Sequence, residues 1–305
     1  MKKRHASLIL LALLCFISNQ VSAYDFSAVA PTGQTLYYNI SSGNAIVTFP
    51  MSYSGIEDLL FNNLWQSQTI PTGELTIPDS VTYNGITYPV TSIGEFALKS
   101  TYLTTVTIPN TVKSIDSCAF YRCTNLASVT LPDSLRSIGS QAFFDCGRLN
   151  SIEAPITLTS IGSEAFRQCT SLVSCILHNS VTAIGERAFY LCRSMRSIII
   201  PNSVTVIREG TFAGCYNLIA VTIPNSVTEI ETSAFGGAGL TNVTIPNSVT
   251  TIGIDAFACN SLSSVYMKSS NPPTFSSSAD KIPTSAVIHV PCNSTTAYQT
   301  QWGMD

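Results

Sequence analysis

Charge is scarce in this chain. Asp, Glu, Lys and Arg together make 11% of its 305 residues, against about a quarter in an ordinary soluble protein. A nucleic-acid partner needs a basic stripe, and 15 Lys and Arg set against 18 Asp and Glu do not supply one. Three of the basic residues, Lys2, Lys3 and Arg4, crowd the N-terminus; without residues 1–23 the chain holds 12 basic and 18 acidic residues, a net charge of −6. That balance is a poor match for an anionic membrane surface. Histidine is scarcer still, with His5, His178 and His289 the three in the chain. His178 and His289 lie more than 100 residues apart, so a shared Ser/His/Asp, Cys/His or metal site is not expected from them. No G-x-S-x-G, H-E-x-x-H, P-loop or G-x-G-x-x-G string occurs. The acidic residues are scattered, with Glu57-Asp58 and Glu229/Glu231 as the nearest clusters. Long apolar runs are also missing, apart from about ten residues at Leu8 to Ile17, too few to span a bilayer.

What is plentiful is hydroxyl. Ser and Thr number 74 of the 305 residues, so the surface is one of hydroxyls and amides. The mean hydropathy of +0.27 and the many β-branched residues exclude a disordered chain.

The N-terminus has the form of a secretory signal: a basic start, the short apolar run, and Val21-Ser22-Ala23 as a small-residue cleavage site. Cleavage is expected after Ala23. Acylation at Cys15 fits less well, because the residue before it is the large Leu14. Export is the expected destination, to the extracellular space or the cell surface, with no transmembrane segment.

A repeat dominates the remainder. Leu103 to Asn125 reads LTTVTIPNTVKSIDSCAFYRCTN, Leu126 to Arg148 reads LASVTLPDSLRSIGSQAFFDCGR, and the pattern returns at Leu149, Leu172, Met195, Leu218 and Leu240. Five units are 23 residues long and two are 22. Ile115, Ile138, Ile161, Ile184, Ile207, Ile230 and Ile252 hold one register, and Phe120, Phe143, Phe166, Phe189, Phe212, Phe235 and Phe257 another. An eighth unit, Leu75 to Tyr102, carries an insertion around Tyr83 to Pro89.

The spacing L-x-x-V-x-I-P puts two apolar residues on one face of a short strand, ended by a proline that cannot donate to a ladder. V-T-x-I-G is a second extended stretch on the return side. A-F-x-x-C is a tight turn or a single helical turn. No unit buries its apolar face alone, so the units must stack. Eight units at about 4.8 Å per strand make a rod of about 40 Å. The expected fold is a β-dominated repeat solenoid with a parallel sheet on its concave side.

These residues resemble the BspA-like leucine-rich repeats, also called the Treponema pallidum class. The resemblance runs from about Gly33 to Trp302. It implies a cell-surface or secreted protein, and adhesion to host proteins or other microbes as ascribed to some members. Caps are expected at both ends of the solenoid. Residues 24–102 read as a β-rich cap and first repeat, residues 103–261 as seven repeats, and residues 262–305 as a closing strand and cap. Leu36 to Ile40 and Ala45 to Phe49 form a hairpin pattern, with the Tyr83 to Pro89 insertion packing on it. Ala286 to Val290 reads as a last strand, with Tyr298 and Trp302 as lid residues. Asp79-Ser80-Val81 and Asp133-Ser134-Leu135 resemble the O-glycosylation motif of gut anaerobes, in the exposed turn after the strand.

Cys123, Cys146, Cys169, Cys192 and Cys215 recur every 23 residues. Stacking sets them in a line, one per layer, which suits neither a metal site nor disulfides with parallel Cβ vectors. They read as a buried ladder of small apolar side chains. Cys118, Cys175, Cys259 and Cys292 depart from it: Cys175 replaces a strand core residue, and Cys118 falls at a variable, exposed position.

The functional surface is read from alternation. Between V and I of each strand, the outward residues are Thr76, Thr107, Thr130, Glu153, Ile176, Ile199, Thr222, Thr244 and Tyr266. This is a hydroxyl carpet with one apolar spot at Ile176 and Ile199, bordered by Arg196. Glu153, Ile176, Arg196, Ile199, Thr222 and Thr244 are the candidate ligand-binding residues. The expected function is non-catalytic binding of a protein or glycan at the cell surface, with no cofactor, no metal and no nucleic acid. The alternative is a secreted structural or envelope component that self-associates edge to edge.

Overall fold

The structure, a computed structural model, describes residues 24–49, 69–276 and 282–302. The N-terminal signal and the Glu57-Asp58 pair lie outside the described residues. Each coil contributes two short strands, and each kind stacks in its own parallel ladder; the longer ladder is hydrogen-bonded in four segments, with one of the breaks between Ser174–Ile176 and Ser197–Ile199, and the shorter ladder in two. In the longer ladder Ser151–Glu153 pairs in register with Ser174–Ile176, setting Ile152 beside Cys175 and Glu153 beside Ile176. Further along, Ser197–Ile199 pairs with Ala220–Thr222, and Asn242–Ile245 with Ser264–Met267. In the shorter ladder Ser137–Ile138 lies between Ser114–Ile115 and Ser160–Ile161. The register follows from alternation: residues of the V and I type point inward and their neighbours outward, so a slip of one residue would bury the hydroxyls.

The core fills the space between the ladders. Seven phenylalanines from Phe120 to Phe257 form one continuous stack, with neighbouring centroids between 5.0 and 5.6 Å apart and planes within 12° of parallel. A one-per-coil repeat translates each ring onto the next, which is why an offset stack rather than an edge-to-face pair appears.

The A-F-x-x-C segment is not a helical turn. It alternates local and inter-coil hydrogen bonds: Ala142 N–H donates to Gly139 O and Phe144 N–H to Gln141 O, while Gln141, Phe143 and Asp145 donate to Ser163, Ala165 and Arg167 of the next coil. This alternation requires left-handed backbone twice per coil, as at Gln141 and Asp145, both with φ of 56°. Each such non-glycine residue costs about 1–2 kcal/mol, offset by a turn that leaves its amides bonded along the rod. Two side-chain columns brace it. Arg122 pairs with Asp145 at 3.6 Å, and Arg167 lies between the Phe144 and Tyr190 rings, 5.3 and 5.1 Å from their centroids.

The N-terminal end is closed by strands. Phe26–Val29, Thr35–Ser41 and Asn44–Thr48 form an antiparallel meander, whose Ser42-Gly43 turn has positive φ at both residues. Asn44–Thr48 then runs parallel to Ile86–Ile93 and so joins the shorter ladder. The insertion is the hairpin Ser80–Tyr83 and Ile86–Ile93, and Tyr83 stacks on Phe26 at 4.6 Å. The far end is closed by the helix Thr295–Trp302. Tyr298 and Trp302 are buried there; Trp302 Nε1–H donates to Pro273 O at 2.9 Å and Tyr298 OH to Ser269 O at 2.9 Å.

Two cysteine expectations need correction. Cys118 is buried, not exposed, because its left-handed turn directs the side chain toward Tyr37, Phe49 and Phe96 instead of solvent. Cys259 belongs to the thiol ladder: one fewer residue separates it from its phenylalanine, yet its Sγ–H donates to Phe235 O at 3.0 Å.

Candidate functional site

The outward face of the longer ladder carries two rows of side chains. The row containing Thr107, Thr130, Glu153, Ile176, Ile199, Thr222 and Thr244 is exposed throughout, as alternation requires. Ile176 is 48% exposed and Ile199 70%. Glu153 and Ile176 are register partners, as are Ile199 and Thr222, and the strands of Ile176 and Ile199 are packed side by side. Glu153, Ile176, Ile199 and Thr222 therefore form one continuous line across four coils. Thr244 stands on the same face further along, beside Tyr266. Tyr266 in turn stacks on His289, with centroids 4.4 Å apart and planes within 9°.

Arg196 is exposed, but it sits just before its strand and not in that line. Two residues in the same pre-strand position were missed by the sequence reading: Val173 at 45% and Ile219 at 58% exposure. Tyr216, at 56%, adds an aromatic ring beside them, with the Arg193 guanidinium 5.7 Å from its centroid. The available signal was a hydrophobic residue directly after the unit's first Leu or Met, where other coils carry Thr104, Asn150, Thr241 or Ser263. The apolar spot thus extends over the coils of Val173, Ile199 and Ile219. A cluster of this kind, framed by Thr and Ser, differs from singly scattered surface apolar residues.

The remaining chemistry-bearing groups are not brought together. His178 takes the place of a coil proline, and its carbonyl accepts Val181 N–H as Pro132 accepts Leu135 N–H. His289 is stacked on Tyr266 at the far end of the rod. Among the described residues no group of His, Cys, Asp and Glu could hold a metal ion. The ladder thiols are buried and bonded, and burial pushes Cys123 up to about 11 and Cys215 up to about 12. Protonated thiols of this kind are neither nucleophiles nor metal ligands at neutral pH. Ser134 is half-buried, contrary to its expected place in an exposed turn, and its hydroxyl donates to Val112 O at 2.6 Å. Ser203 and Ser226 bridge coils in the same way, whereas Ser180 and Ser248 at the same position find no hydrogen-bond partner among the described residues.

The family profile of the BspA-type leucine-rich repeat region matches residues 91–205 and 182–296. Among solved structures, the chain is similar to a leucine-rich cell surface protein of Faecalibacterium prausnitzii, at 30% identity and a TM-score of 0.54 over 83% of this chain. It spans 57% of the length of that protein. It is also similar to the T. pallidum leucine-rich-repeat protein, at 26% identity and a TM-score of 0.52, covering 80% of this chain and 90% of that one. A leucine-rich-repeat protein of Bacteroides ovatus shares the fold at 24% identity and a TM-score of 0.53, over 90% of this chain and 81% of its own. No curated protein matches the chain.

Proposed function

The chain belongs to the BspA-type leucine-rich-repeat family, and on that premise we propose that it is an exported binding protein, an adhesin or host-interaction module acting through the outward face of its longer ladder. Its fold is generally a non-catalytic scaffold for protein interaction, no enzyme family is indicated, and BspA-like proteins are typically secreted or displayed at the surface. No helix among the described residues is long and apolar enough to cross a membrane. The observation that carries the reading is the line Glu153, Ile176, Ile199 and Thr222, in which two exposed isoleucines stand on adjacent strands of neighbouring coils. An apolar centre with a hydroxyl surround has the composition of an interface core and rim. Thr244 and Arg196 lie on that surround, the hydroxyls offering hydrogen bonds to protein or glycan.

The alternative, edge-to-edge assembly, has less support. At the N-terminal end the open strand Thr72–Thr76 is already occupied: Gln34 Nε2–H donates to Thr72 O at 3.0 Å, and Thr32 Oγ1 accepts Thr76 N–H at 3.1 Å. Side chains that saturate an edge prevent another strand from adding to it.

The test is a binding screen of residues 24–305 against host matrix and plasma proteins and a glycan array, beside the double variant Ile176→Asp/Ile199→Asp. The expected result is a ligand whose affinity the variant lowers at least about tenfold. A folded variant that binds as the parent does would move the site off this face.

A further inference from the structure

We propose that the longer-ladder face takes an acidic, apolar-bearing segment of a partner protein, laid along the rod over the N-terminal ends of the strands. The inference rests on the reading of that face as a binding surface and specifies its partner.

The carrying observation is a strip of uncompensated charge. Between the ladder cysteine and the strand, the coils read CTNLA at 123–127, CGRLN at 146–150, CTSLV at 169–173, CRSMR at 192–196, CYNLI at 215–219 and CNSLS at 259–263. The strip holds Arg148, Arg193 and Arg196 and no acidic residue, in a chain that is net negative. All three arginines are exposed. The arginines of the turns behave differently: Arg122, Arg167, Arg187 and Arg208 each pair with a carboxylate. Arg148, Arg193 and Arg196 enter none of the ion pairs among the described residues, and Arg193 packs on the Tyr216 ring instead.

The same strip carries Val173, Tyr216 and Ile219, interleaved coil by coil with the arginines. Val173, Arg196 and Ile219 occupy one position in three successive coils, so about 10 Å separates Val173 from Ile219 with a guanidinium between them. A guanidinium offers a planar fork to a carboxylate and is weakly hydrated, so it suits an acid presented among apolar groups. Glu153 stands at the opposite ends of the strands. The face is therefore polarised across its width, which orients an acidic segment over the arginine strip and away from Glu153. A sulfated glycan would satisfy the arginines but make no use of Val173 and Ile219, so the peptide is the better fit.

The test uses residues 24–305 and fluorescence anisotropy with short labelled peptides: one of Glu and Leu, one of Lys and Leu, one of Glu and Ser, with heparin as a fourth probe. The Glu/Leu peptide is expected to bind at least about tenfold more tightly than the other two peptides, to weaken with salt, and to lose that advantage in Arg148→Ser/Arg193→Ser/Arg196→Ser. Circular dichroism and thermal unfolding of the triple variant should stay close to the parent, since these side chains bear no internal ion pair and the Arg193 contact with the Tyr216 ring is solvent-exposed. Equal binding of the Lys/Leu peptide, unchanged affinity in the triple variant, or no binding of any peptide to folded protein would overturn the proposal. Heparin binding that the triple variant loses and Ile219→Asp retains would assign the strip to a sulfated glycan and overturn it as well. A Lys/Leu peptide that binds and is lost in Ile176→Asp/Ile199→Asp would defeat this inference while leaving the face itself as the binding surface.

Discussion

The thiol of Cys169 donates to the carbonyl oxygen of Phe143, 3.1 Å away and one coil earlier. The same bond links Cys146 to Phe120, Cys192 to Phe166, and Cys215 to Phe189. Each phenylalanine carbonyl also accepts the N–H of the cysteine in its own coil, as Phe143 O does from Cys146. The cysteine is therefore more than a small apolar filler: it supplies the second donor to a buried carbonyl. Cys169→Ala should lower the unfolding free energy by about 1–3 kcal/mol, measured as a shift of the urea midpoint. A variant as stable as the parent would mean that the thiol contributes neither the hydrogen bond nor packing.

Thiol reactivity should divide sharply. Cys292 is exposed and the other eight described cysteines are buried. In native residues 24–305 a thiol reagent should modify Cys292 quickly and the remaining eight only on unfolding. Fast modification of the ladder cysteines in folded protein would contradict the packing described above.

Burial also makes the protein sensitive to alkali. Desolvation raises Cys123 and Cys259 from 9.0 to about 11 and Cys175 and Cys215 to about 12. Unfolded thiols ionise near 9 while the folded ones stay protonated, so the unfolded chain binds fewer protons above that pH. Stability is thus fully present below pH 9 and is lost as the pH rises through 11 to 12. Urea midpoints measured on either side of pH 9 should show the fall, and Cys215→Ala should flatten it.

A carboxyl near the N-terminal cap acts in the same direction at lower pH. Burial, and then the neighbouring Asp116, raises Glu95 to about 7, and burial raises Asp116 as well. The unfolded carboxyl ionises from about pH 4.5, so the neutral folded form is stable below that pH and loses stability as the pH approaches 7. Glu95→Gln should match the parent below pH 4.5 and exceed it above pH 7. Equal midpoints at both would mean that Glu95 is solvated.

The C-terminal lid should be required for a closed core. Trp302 packs on Phe275 at 4.7 Å and donates to Pro273 O. Trp302→Ala should cost about 3–5 kcal/mol and, by uncovering the last core layer, promote self-association visible in size-exclusion chromatography. A monomer of unchanged stability would show that the helix merely decorates the end.

The repeat alone determined the architecture. A period of 23 residues with fixed Leu, Ile and Phe positions has no other way to bury its apolar faces than by stacking, and strand alternation then decides which residues point outward; Ile176 and Ile199 were legible for that reason. What the tertiary structure decided was everything that depends on the neighbouring coil. The left-handed residues at Gln141 and Asp145 carry no glycine signal, because bonds to the next coil stabilise them. Cys118 looked exposed because its burial comes from Tyr37, Phe49 and Phe96, distant in sequence. Val173 and Ile219 precede their strands, where alternation does not apply, and only the stacked coils bring them beside Arg196. Local sequence sets what a residue prefers; contact between layers sets which of those preferences is met.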